Sequence, residues 1–158
     1  MVRAPFTAIA LAAALAFAAA PTHANPRTDR MMAGESWLQG KELEAAIAKA
    51  EQHPLGSAEN PVRTTMPQGQ RLYLSRLRCS DGQAPKFYRQ GNVGVGVFGN
   101  IVDLYIVTCE GGEPRESKVY MDMYHGGFIE TRPVPGFTSA VPLEKPIEAS
   151  GKVAEPRG

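Results

Sequence analysis

Within the stretch 72–125, apolar residues cluster most densely over 101–109, Ile-Val-Asp-Leu-Tyr-Ile-Val-Thr-Cys, where both alternating sets are mostly apolar, with Asp103 the clear exception. A β-branched and aromatic run of this kind fits a strand in the middle of a sheet, covered on both faces. The stretch 118–124 alternates: Val119, Met121 and Met123 take one face, and Tyr120, Asp122 and Tyr124 the other. Between the two, Glu110-Gly111-Gly112-Glu113-Pro114 predicts a turn, so these strands should pair antiparallel. Residues 72–79 read as a third strand, and Phe87-Tyr88-Arg89 as a short fourth.

Upstream, Leu43, Ala46, Ile47 and Ala50 fall at helical spacing. They predict a helix over 37–52, entered through the capping-box pattern of Ser36 and Gln39 and stopped before Pro54. The stretch 53–70 holds Pro54, Gly56, Pro61, Pro67 and Gly69 and reads as an irregular connector. The expected fold is α+β: one N-terminal helix packed on an antiparallel-dominated sheet of about four strands.

Gly94-Val95-Gly96-Val97-Phe98-Gly99 has the spacing of a dinucleotide-binding loop. That chemistry needs a helix after the glycines, so that its N-terminus meets the pyrophosphate. A strand follows here instead. The run is therefore expected to be a glycine-rich β-connection, and neither a nucleotide nor any other cofactor is expected.

The N-terminus sets the expected compartment. Residues 1–24 carry Arg3, an apolar run over 6–20 and Thr22-His23-Ala24, the pattern of a secretory signal peptide. After it we expect a disordered leader over 25–35, a single α+β domain over 36–143 and a disordered tail over 144–158. Loss of Arg3 with the signal leaves 16 of the 17 Lys and Arg residues against 16 Asp and Glu. A neutral mature chain gives no electrostatic case for nucleic acid or an anionic membrane, and no membrane span is expected in it. Export and a cysteine count of 2 predict a Cys79–Cys109 disulfide.

The most reactive-looking pair is Asp122 and His125. Three apart on a regular strand, they point to opposite faces unless a bulge at Tyr124 intervenes. No catalytic, cofactor-binding or metal-ligating residue is assigned, since the mature chain offers only His53 and His125 as histidines. Tyr120, Asp122 and Tyr124, with Asp103 from the adjacent strand, form the candidate recognition face. The alternative is that the helix covers them.

Four blocks carry a family resemblance: Arg76-Leu77-Arg78-Cys79-Ser80-Asp81-Gly82, Phe98-Gly99-Asn100-Ile101-Val102-Asp103, Met121-Asp122-Met123-Tyr124-His125 and Val134-Pro135-Gly136-Phe137. Together they resemble small uncharacterised exported proteins of Gram-negative bacteria, for which no activity is assigned. The resemblance implies export and a single domain, and it carries over no site residue. The expected function is that of a periplasmic or secreted, non-enzymatic binding protein acting on a protein partner, of inhibitor or immunity type. The alternatives are a small hydrolase using Asp122 and His125, or a structural protein of the cell envelope.

Overall fold

The structure, a computed structural model, describes residues 25–140. The expected signal peptide and the tail over 144–158 lie outside the described residues. Helix α1 spans Pro26–Met32, where a disordered leader was expected. It buries no residue and so shows no apolar period; its signal is local. The Asn25 side chain accepts the Arg27 N–H, and Pro26 supplies a preset φ at the start. Arg27 stacks 5.3 Å over the Trp37 ring and donates to the Gly99 carbonyl, which latches α1 to the body.

Helix α2, Gly40–Ala50, is shorter than expected at both ends. Ser36 does not cap it. Its hydroxyl accepts a hydrogen bond from Asn100 Nδ2 at 3.0 Å, while Trp37 N–H donates to Asn100 Oδ1 at 2.7 Å. This tertiary partner takes the side chain that local pattern assigned to the helix.

Strand β1, Val62–Arg63, and helix α3, Met66–Arg76, lie in and beyond the expected connector. The helix replaces most of the strand expected over 72–79. Pro67 stands in its first turn, and its buried residues Gln70, Tyr73 and Leu74, continued by Leu77, recur with a helical period. Only Leu77–Arg78 is extended, as β2, pairing antiparallel with β6, Thr138–Ser139.

The main sheet contains β3, Lys86–Val95, β4, Ile101–Thr108, and β5, Glu116–Asp122, in the order β1-β5-β4-β3. The β1 pair is parallel and the other two are antiparallel. The chain is thus α+β with a mostly antiparallel four-stranded sheet, as its pattern predicted. Strand β4 is central, and Val102 through Val107 are all buried. Its Tyr105 and Val107 join Val62, Val119 and Met121 against Tyr73, Leu74 and Leu77 of the α3–β2 segment, with Val134 and Phe137 completing the core. The glycine-rich run closes the β3–β4 connection. Gly99 takes φ +78 and leaves no room for a Cβ, which would stand 2.8 Å from the Trp37 ring.

Cys79 follows β2 and Cys109 follows β4; they form a disulfide with Cα atoms 5.9 Å apart. Closing a loop of 30 residues stabilises the fold by about 3–4 kcal/mol in the chain-entropy treatment. No helix among the described residues is long and apolar enough to cross a membrane.

Candidate functional site

The expected recognition face does not exist as a surface. Asp103 pairs opposite Met121 and Asp122 opposite Val102, so the two aspartates point to opposite sides of the sheet. Tyr124 has left the strand. Asp122 is 0%, Asp103 3% and Tyr124 6% exposed, and only Tyr120 keeps partial exposure. The carboxylates are consumed by internal donors.

Asp103 accepts from Gln70 Nε2 at 3.1 Å and from the half-exposed Arg89 at 2.6 Å; Gln70 in turn accepts from the Tyr105 hydroxyl at 3.0 Å. This network fastens α3 to β3 and β4. The hydrogen bond to Asp103 pushes Arg89 up. Burial, reinforced by the Asp103 charge, pushes the Tyr105 and Tyr124 phenols up and keeps both neutral.

Asp122 organises the opposite side. It accepts from Asn100 Nδ2 and from the Tyr124 N–H, both at 3.0 Å, and its Oδ2 lies 3.3 Å from His125 Nε2. Regular strand geometry would have separated this pair. Strand β5 ends at Asp122, Tyr124 makes a single antiparallel bridge to Thr65, and the turned chain brings His125 back over Asp122. The imidazole packs edge-on against Phe98 with centroids 5.1 Å apart, and its Nε2 faces the Asp122 carboxylate without hydrogen-bond geometry. Ser36 lines the same cavity as His125, and its hydroxyl oxygen is held by Asn100. No group of three His, Cys, Asp or Glu converges on a metal position among the described residues.

What the sequence reading missed is the outer strand. Expected as three residues, β3 runs for ten, with β4 as its single neighbour in the sheet among the described residues. Phe87 packs on the core, and Arg89 is tied to Asp103. Between them Tyr88 is 60% exposed, and further along the strand Val93 is 50% and Val95 63% exposed. The signal was present as alternating valines at 93, 95 and 97, but it was hidden by the glycines between them. A strand with one neighbour turns roughly half of its backbone donors and acceptors outward, ready for another strand.

No family model, curated protein or solved structure matches this chain, so its function is argued from its own geometry.

Proposed function

We propose that the protein is an exported, non-enzymatic binding protein that takes an extended segment of a protein partner along the free edge of β3. The observation that carries this is the ten-residue outer strand with Tyr88, Val93 and Val95 exposed on it. An open ladder supplies affinity through main-chain hydrogen bonds, and alternate side chains supply selectivity. Strand β3 has no acid, and its cations are already engaged, Lys86 by Glu110 and Arg89 by Asp103. A peptide backbone with apolar side chains therefore suits this edge better than a polyanion. Inhibitor or immunity-type capture agrees with the neutral mature chain and with the Cys79–Cys109 disulfide, which suits an oxidising compartment.

The test is site-specific photo-crosslinking in the cells that export the protein. A photoreactive residue at Val93 or Val95 should give one discrete adduct with another protein, and the same residue at the exposed Glu44 should give none. No adduct from either β3 position would refute the reading, and an adduct with a second copy of this chain would replace the partner by self-pairing.

A second reading, hydrolysis at Asp122 and His125, is supported by their 3.3 Å contact. Turnover of ester or peptide substrates, lost in His125→Ala and kept in Val93→Lys, would establish it.

A further inference from the structure

We infer that residues 141–143, Val-Pro-Leu, pack into the apolar groove between α3 and the 127–130 segment, so that the chain closes this groove with its own continuation. The groove holds about 280 Å³ and is lined by Gly69, Leu72, Tyr73 and Arg76 on one side and by Phe128 and Ile129 on the other. Leu72 is 50% and Ile129 58% exposed, so each wall carries an aliphatic side chain that gains from being covered. The polar groups of the walls are already engaged. The Tyr73 hydroxyl donates to the Arg132 carbonyl, the Thr65 hydroxyl to that of His125, and Arg132 forks onto the Glu130 carboxylate. The groove therefore offers contact area and few free hydrogen-bonding groups, which favours an apolar occupant over a charged one.

The path of the chain supplies that occupant. Strand β6 runs antiparallel to β2 and so heads back toward α3. The N–H of Ala140, the last described residue, donates to the Arg76 carbonyl at 2.9 Å. A narrow cleft lined by Ser139 shares its Tyr73, Arg76 and Glu130 walls with the groove, so the chain leaves β6 at the groove's mouth. Leu72 and Tyr73 stand one helical turn before Arg76, about 5–6 Å along the axis. Three extended residues span about 10 Å, enough to pass them without any change in the described elements. The composition fits as well. Val141 and Leu143 share a face of an extended chain, and Pro142 between them has no N–H to leave unpaired. Glu144 and Lys145 then end the apolar stretch. Filled in this way, the groove is withdrawn from foreign partners, and Leu72 and Ile129 do not compete with the β3 edge for them.

The experiment is NMR on the full mature chain. Nuclear Overhauser contacts from the Val141 or Leu143 methyls to the Phe128 ring and the Ile129 methyls are expected, within one chain. A sample mixing labelled and unlabelled protein separates these from contacts between copies. Ile129→Asp should abolish the contacts and speed cleavage after Glu144 by a glutamyl endopeptidase about tenfold, the effect of uncovering one aliphatic side chain. Met32→Asp, an equivalent change at an exposed residue of α1, should leave both readouts as they were. Should Ile129→Asp fail to fold, the wild-type contacts decide alone. Contacts only between copies would hand the groove to a second chain and overturn the inference. So would an absence of contacts, or a cleavage rate that Ile129→Asp leaves unchanged.

Discussion

The two edges of the main sheet have been finished in opposite ways. Strand β1 is two residues long, with Val62 fully buried, and the loops that flank it continue its pairing along β5: Thr64 N–H donates to the Asp122 carbonyl at 2.8 Å, Met66 N–H to that of Met123 at 2.7 Å, and Tyr120 N–H to that of Gly56 at 2.9 Å. Strand β3 is ten residues long and has nothing paired to its outer side among the described residues. Its protection is different in kind. Two register shifts, between Arg89 and Gly91 and between Asn92 and Val95, interrupt the ladder with β4. Bulges of this sort twist an edge and make it a poor template for indiscriminate pairing. A closed edge is thus a matter of what polar side chains and loops are delivered to it, and an open one can persist if it is irregular.

The contrast breaks most sharply at Asp122, on the sealed side. Asp122→Ala removes the acceptor of Asn100 and of the Tyr124 N–H and leaves both donors buried. We expect a loss of about 3–5 kcal/mol in chemical denaturation. A loss under about 1 kcal/mol would mean that this network does not hold the edge.

Two glycines sharpen it. Gly56 and Gly94 both have positive φ, +87 and +94, so an alanine at either meets a similar backbone cost of about 1–2 kcal/mol. At Gly56 the new Cβ would also stand 2.6 Å from Val134 Cγ1, whereas at Gly94 nothing lies within 4 Å. Gly56→Ala should therefore exceed Gly94→Ala by about 1–3 kcal/mol, the cost of overpacking. Equal losses would contradict the packing difference between the edges.

What could be read from the chain follows the range of the interactions. Strand β4 was legible because both of its faces are buried, so its apolar run is continuous. Helix α3 was not, because its buried stripe begins with Gln70, a polar residue whose place is set by Asp103 and Tyr105, more than 30 positions away. Ser36 looked like a cap until Asn100, 64 residues on, claimed it. The Asp122–His125 contact depends on where β5 stops, and Thr65 of another element sets that through its bridge to Tyr124. The disulfide was legible from the cysteine count and the expectation of export alone. The face of Tyr120, Asp122 and Tyr124 looked exposed by alternation, while burial is decided by what packs across the sheet.

The sealed side also carries a pH dependence. Burial alone would raise the Glu130 carboxyl, but hydrogen bonds from the Arg132 side chain and backbone and from the Thr131 N–H outweigh it and hold the group below 4.5. A depressed folded value means that the stabilisation is present above the unfolded pKa and is lost as pH falls through the folded one. Stability should therefore decline as pH drops below 4.5. Glu130→Gln should cost about 1 kcal/mol at neutral pH and make that acid decline shallower. An unchanged acid limb in the variant would remove Glu130 from the account.

The smallest effect is expected on the open edge, and its smallness is the point. Val93→Lys places a charge on an exposed outer strand, where the side chain meets water in the folded and unfolded chain alike. Stability should change by no more than about 0.5 kcal/mol, the usual range for a surface substitution. Val62→Lys puts the same charge into the sealed edge, at a residue that is fully buried opposite Met121, and should prevent folding. Denaturation midpoints of the two variants measure the asymmetry directly. A Val93→Lys variant as damaged as Val62→Lys would mean that β3 is covered in the folded protein, and the proposal that its edge is free for a partner strand would fall with it.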